Sequence, residues 1–245
     1  MVTAFLEVPG ETIYFAHAPE ARPGLPHSAI TRLIQGIWET EAAQARRILR
    51  RRIFTSANVA TPMCTGMVKV AAKRLSLQTL PDATDLPGRD VSAQGNPELA
   101  QAPAPEPAPG PPRSPADLLA FALSLATEIP RREGPRYTLD RPVAAILADA
   151  DGRILATAVN RNARNRTLHA EVRLAQAWHH RTGRGFPPGA RVYVTLKCCR
   201  MCAGMLWQTA EQPETLHVHY AEDDPGPQAR ATELERRGAE SRLVL

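Results

Sequence analysis

The chain predicts an α/β protein, a three-layer α/β/α sandwich on a five-stranded mixed sheet, preceded by a small α+β N-terminal domain. Three observations carry this prediction. Helical and strand patterns alternate from residue 114 onward, and a proline-rich stretch separates them from the N-terminal residues. A helical segment also lies between the last two strands, so those strands can run parallel, since a parallel pair needs a crossover of about a dozen residues.

The N-terminal elements come first. Phe5, Leu6 and Val8, then Ile13, Tyr14 and Phe15, flank Pro9-Gly10, the pattern of a hairpin. Ile30, Leu33, Ile34 and Ile37 recur at helical spacing. A second helix is predicted over residues 39–52, carrying Arg46, Arg47, Arg50, Arg51 and Arg52. Such a run is either a solvated helix face or a surface that contacts phosphates. Residues 1–80 hold ten basic and five acidic side chains, so the excess positive charge is densest here, and nucleic-acid binding is one expectation for this domain.

Nine of the 23 prolines fall between Pro81 and Pro112. Proline has no amide donor, and the stretch has almost no large apolar residue, so it cannot build a core. Residues 81–113 read as an extended, semi-rigid linker, and the domains as 1–80 and 114–245.

After the linker, Ser114-Pro115-Ala116-Asp117 has a hydroxyl cap, proline at the first helical position and an acid in the first turn, which is a helix start. Leu118, Phe121, Ala122 and Leu125 mark its apolar face, and Pro130 ends it. Strands follow at 143–148 and 154–159 around an Asp151-Gly152 turn. A helix begins near His169. Strands are predicted at 191–196, 216–220 and 242–245, with helices at 200–210 and 228–237 between them.

Composition bounds the function. The chain has 245 residues, 43% of them hydrophobic, enough for a packed core. A net charge of +5 permits a polyanionic partner without requiring one. No run reaches the roughly 18 apolar residues of a membrane span. Glu7, Pro9, Gly10 and Glu11 interrupt residues 1–15, which is unlike a signal peptide. Of the four cysteines, Cys198, Cys199 and Cys202 lie within five residues, poor material for a disulfide framework and good material for a metal site. A cytoplasmic protein without a membrane partner is expected, with a homo-oligomer left open.

Two motifs carry chemistry: His169-Ala170-Glu171, and Cys199-Arg200-Met201-Cys202 about thirty residues later, each after a strand and opening a helix. Cys-x-x-Cys at a helix start turns both sulfurs toward one point, where free amides and the helix dipole favour thiolate. A histidine at the neighbouring helix start supplies a third ligand. His169, Cys199 and Cys202 are thus the expected ligands of a Zn²⁺ ion whose fourth tetrahedral position stays open, the mark of a catalytic site. Glu171 is close enough to move protons but not spaced as a further ligand. H-x-E followed by P-C-x-x-C is the known pattern of zinc nucleobase deaminases, and this chain carries it with Cys198 in place of the proline. Two other readings stand beside it: a redox Cys-x-x-Cys with an unrelated histidine, and a structural zinc with Cys198 as fourth ligand.

The stretches from Thr167 to Gln176 and from Thr195 to Gly204 resemble the cytidine deaminase superfamily. Within it they are most similar to a small bacterial family of proposed nucleic-acid deaminases with a distinct N-terminal globular domain. The resemblance spans about residues 114–245. It implies a cytidine-deaminase-like sandwich and hydrolytic deamination of cytosine or adenine in RNA or DNA, with RNA editing suggested by family context. By the same resemblance His169, Cys199 and Cys202 match the zinc ligands and Glu171 the proton shuttle. Asn160 matches an asparagine that contacts sugar or base in tRNA adenosine deaminases. The superfamily usually has proline where this chain has Cys198, and the site is expected to survive with that thiol buried or turned away.

The loop before His169 contains Arg161, Arg164 and Arg166, and another loop holds Arg131, Arg132 and Arg136. Arginine-rich loops beside a base pocket suit a phosphate backbone. Asn160, Arg164, Arg166 and Ala170 are the expected substrate contacts, and RNA or single-stranded DNA the expected partner. The alternatives are a deaminase of free bases, nucleosides or nucleotides, and a catalytically idle zinc-stabilised protein that binds nucleic acid.

Overall fold

The computed structural model describes residues 1–56, 60–72, 77–79, 87–92, 110–129, 141–163 and 165–244. Strands β1 (Val2–Val8) and β2 (Thr12–Ala18) form the expected hairpin, in antiparallel register from Val2 opposite Ala18 to Val8 opposite Thr12. Their period-two alternation turns Ala4, Leu6, Val8, Tyr14, Ala16 and Ala18 into the core. Helix α1 (Ala29–Thr40) lies on that face through Ile30, Leu33, Ile34 and Ile37. A reciprocal capping box between Ser28 and Thr31 starts it.

The helix predicted over 39–52 does not form as such. Helix α1 runs on to Thr40 and stops at Glu41, whose backbone leaves the helical region. Only one turn, α2 (Ala45–Ile48), comes next, because Ala45, Ile48 and Leu49 are all the apolar surface the segment can bury. The five arginines are exposed, and Arg47 forms a two-nitrogen pair with Glu11 at 2.8 Å.

Strands β3 (Ile53–Thr55), β4 (Leu77–Thr79) and β5 (Arg89–Asp90) complete a first sheet of order β4-β3-β1-β2-β5. Strand β5 falls inside the segment read as a linker. It pairs in parallel with β2, and Val91 is fully buried, so residues 89–91 belong to the first sheet. Between β3 and β4, α3 (Pro62–Met67) runs directly into a π-helical turn, Val68–Ala72.

Helix α4 (Pro115–Thr127) begins with the predicted Ser114 cap, completed by Asp117. The second sheet has the order β10-β9-β8-β6-β7. Its strands are β6 (Ala144–Ala148), β7 (Ile154–Val159), β8 (Arg191–Leu196), β9 (His217–Glu222) and β10 (Glu240–Arg242). Strand β6 is antiparallel to β7 and β8, while β8, β9 and β10 run parallel. Helix α4 covers one face over Ile146, Ala148 and Tyr193. Helices α5 (Ala170–Thr182) and α6 (Arg200–Thr209) cover the other over Ala145, Leu147, Val192 and Val194. This is the expected three-layer sandwich with parallel final strands.

The end of the chain differs in detail. Residues 228–237 hold a 3₁₀ turn and the four-residue helix α7 (Glu233–Arg236). The break is at Ala231, in left-handed backbone, after which Thr232 caps a new start. Strand β10 begins two residues earlier than expected.

The two sheets share one continuous apolar core. Helix α3 lies against α6 at backbone contact. A Cβ on Gly66 would stand 2.4 Å from the Arg200 carbonyl oxygen, and one on Gly204 the same distance from that of Pro62. Beside this seam Gln35 and Gln176 exchange amide hydrogen bonds of 2.8 and 3.2 Å, and Asn165 Nδ2 donates to the Gln35 carbonyl at 3.2 Å. Among the described residues no helix is long and apolar enough to cross a membrane.

Candidate metal centre and catalytic cavity

His169 and Cys199 occupy the N-cap positions of α5 and α6, both in extended backbone and neither side chain spent on capping. Strand β8 ends at Leu196, and residues 197–198 carry the chain to the second cap, so both helix starts converge at one end of the sheet. Cys199 Sγ lies 3.8 Å from His169 Nδ1 and 3.5 Å from Cys202 Sγ, and Cys202 Sγ lies 3.4 Å from His169 Nδ1. Zn–S bonds of about 2.3 Å and Zn–N bonds of about 2.0 Å at tetrahedral angles place ligand atoms about 3.5–3.8 Å apart, so the triangle fits zinc. These three residues form the cluster among the described residues able to hold a metal ion, and Cys198 is outside it.

The electrostatics place one thiolate in the triangle: burial and the neighbouring Cys199 push the Cys202 thiol well up. A hydrogen bond shared with Cys202 holds the Cys199 thiol well below its usual range despite burial, with His169 assisting. Burial pushes the Cys198 thiol well up, and the neighbouring Glu171 carboxylate adds to it, so Cys198 sits buried and protonated behind the site. Glu171, in the first turn of α5, is 3% exposed, and burial raises its carboxyl above the usual range. Its Oε2 has no hydrogen-bond partner. A buried carboxylate oxygen left open is costly, and marks a place where a substrate or water group belongs.

In front of these residues lies a cavity of about 420 Å³. His169, Glu171, Cys199 and Asn160 line it. Asn160 Nδ2 donates to the Arg141 carbonyl and to Asn162 Oδ1, each at 3.3 Å, while its Oδ1 is buried without a partner. Of the other predicted contacts, Ala170 and Arg166 are described, and neither is in the lining. Ala170 is fully buried as the first residue of α5 and is not in the lining. Arg166 lies over the Trp38 ring at 5.7 Å, drawn from the mouth by an aromatic face of the first region that the sequence does not reveal as its neighbour. Arg164, Arg131, Arg132 and Arg136 lie outside the described residues.

Sequence reasoning missed several lining residues: Val70, Arg141, Asn162, Lys197 and Gln228. Arg141 and Lys197 sit beside strand ends, where α/β sheets gather their ligands, and that signal was available. Val70 comes from the first region and gave no signal. Both cations of the lining face acids, Arg141 with Asp224 at 3.3 Å and Lys197 with Glu235 at 3.4 Å.

Residues 135–245 match the family described as Bd3614-like deaminase. Solved structures similar to this chain include one from work on A-to-I editing by tRNA:A34 deaminases at the wobble position of transfer RNA. It is 28% identical, covered over 49% of this chain and 78% of its own, with a TM-score of 0.37. A guanine deaminase from Nitrosomonas europaea is 17% identical over 61% of this chain and 85% of its own, at 0.41. One from Bacillus subtilis is 24% identical over 45% and 66%, at 0.36. No curated protein matches the chain.

Proposed function

We propose that the protein is a zinc-dependent deaminase that hydrolyses the exocyclic amine of a nucleobase, cytosine or adenine, within RNA or single-stranded DNA. The observation that carries this is the ligand triangle of His169, Cys199 and Cys202 beside a buried Glu171 carboxylate with one oxygen open to the cavity. A bound zinc ion supplies a water acidified to a pKa of about 7. Glu171 takes a proton from the attacking water and delivers it to the ring nitrogen next to the carbon under attack. It then carries the second proton to the departing amine, so that water and amine become carbonyl and ammonia. Asn160 Oδ1, buried and unpartnered, accepts a hydrogen bond from the base or its sugar. Val143 and Leu196 supply apolar contact for the ring.

A nucleic acid is favoured by the positive charge of residues 1–80 and by unstacked bases entering a pocket at low cost. A second reading, a deaminase of free bases or nucleosides, is supported by the paired state of Arg141 and Lys197, which leaves the described lining without a cation committed to phosphate.

The test is ammonia release with Glu171→Gln beside the parent, on cytosine- and adenine-containing oligonucleotides and on the free nucleosides. Activity is expected to fall by at least about a hundredfold, with zinc content by elemental analysis unchanged. Equal ammonia release by both proteins overturns the reading. Nucleic acid sequenced from cells expressing the parent then separates cytosine, read as C-to-T, from adenine, read as A-to-G.

A further inference from the structure

Fourteen described residues line the catalytic cavity, and thirteen of them lie in or just before the second sheet's region. The exception is Val70, which the first region contributes. Its delivery is a matter of local backbone. Helix α3 ends at Met67, and the chain continues as a π-helical turn over Val68–Ala72. A π turn inserts an extra residue into the helical repeat and so rotates the downstream side chains to a new face, and such turns are frequent at functional sites. Here Val68, Ala71 and Ala72 are buried in the shared core. Lys69 and Val70 are half-buried and diverge, Lys69 toward a small surface hollow near Arg200 and Arg236, Val70 into the catalytic cavity.

The position of Val70 is held from behind. Gly66 and Gly204 bring α3 onto α6 at backbone contact, and α6 carries Cys202 and begins at Cys199. The turn bearing Val70 is therefore fixed against the helix that supplies two metal ligands. Of the remaining apolar lining, Val143 and Leu196 come from the second sheet's strand ends and Pro227 from the 3₁₀ turn.

We propose that Val70 is a specificity-determining residue: it forms the wall of the catalytic cavity that the N-terminal region supplies, and it limits the size of the ring accepted beside Glu171. This rests on the nucleobase-deaminase reading above. One missing methylene or methyl in an apolar pocket changes discrimination by about tenfold or more, so Val70→Ala and Val70→Phe bracket the effect in opposite directions. Val70 is partly buried against the core, so thermal melts of both variants check that folding is kept.

The experiment measures binding by calorimetry, using pyrimidin-2-one and purine nucleosides, free and as the central residue of single-stranded oligonucleotides. These rings lack the exocyclic amine and release no ammonia. Val70→Ala is expected to shift relative affinity toward the purine probe by about tenfold. Val70→Phe is expected to weaken both probes by about tenfold or more, with zinc content and melting temperature as in the parent. If both variants bind both probes like a binding-competent parent, the role of Val70 is overturned while the deaminase reading stands. If the parent binds neither probe in any form, both fall together.

Discussion

The two sheets of this protein are similar in size and differ in how their polar groups are spent. In the first region the polar side chains buried at the seam are occupied: Thr31 with Ser28, and Gln35 with Gln176 of the second. In the second region partners run short. Of seven buried side-chain nitrogen and oxygen atoms without a partner among the described residues, six belong to it, and only Trp38 Nε1 belongs to the first. Three of those six, on Asn160, Glu171 and Gln228, are on residues that line the cavity before His169 and Cys199. Native proteins pair nearly all buried polar groups, so a cluster of open ones marks where something else is to bind. The first region braces, and the second keeps its hydrogen-bonding capacity in reserve at one end of the sheet.

That contrast is open to attack at the seam. The largest effect is expected from Gly204→Leu, whose side chain must displace the Pro62 backbone. Overpacking of this kind costs typically about 1–3 kcal/mol, occasionally more. A single cooperative melt shifted downward fits one shared core. Two separate transitions, with the parent showing the same, would mean that brace and site fold independently.

A smaller effect is expected from Gln35→Leu. It strips Gln176 of its reciprocal amide partner in a buried place, at a cost of about 1–3 kcal/mol. The double variant Gln35→Leu with Gln176→Leu is expected to recover part of that, because two apolar groups leave no orphan between them. A denaturant-midpoint cycle measures this, and simple additivity would deny the pair its coupling.

The smallest effect, taken per pH unit, is a pH dependence. His27, in the first region, meets His179 of α5 edge to face, with ring centroids 5.7 Å apart. Burial, with Arg32, His179 and His180 nearby, pushes its pKa down to about 3. Above pH 6.5 both folded and unfolded states hold it neutral, and it contributes no slope. As pH falls below 6.5 the unfolded chain takes up a proton that the folded one refuses, so stability is lost, at most about 1.4 kcal/mol per pH unit, until about pH 3. Urea midpoints between pH 7 and 5 are expected to fall in the parent and to fall less in His27→Gln. Parallel lines for the two proteins would remove His27 from the seam's energetics.

Much of the second region was legible in the sequence because its signals are local. Strand β8 was readable to the residue from Arg191 to Leu196, and the Ser114 cap from three side chains. The cluster of His169, Cys199 and Cys202 was legible because Cys-x-x-Cys at a helix start fixes much of its own geometry. The failures came where a distant neighbour decides. Arg166 was assigned to the mouth by its place in the loop, and Trp38, 128 positions earlier, takes it instead. The helix expected over 39–52 gave way because charge pattern says nothing of how little apolar surface is available to bury. Val70 gave no signal, since an extra residue in a helical turn leaves no trace in the spacing of side chains.

The contact of Gly66 and Gly204 also bears on how this protein can be divided. The proline-rich stretch invites a cut near residue 113, yet such a fragment would lay bare the flank of α6 on which α3 rests, together with buried neighbours such as Met201 and Met205. A C-terminal half expressed that way would present a sticky surface and a loosened cysteine helix. Whoever shortens this chain should expect aggregation first, and should trim within the prolines while leaving both halves in place.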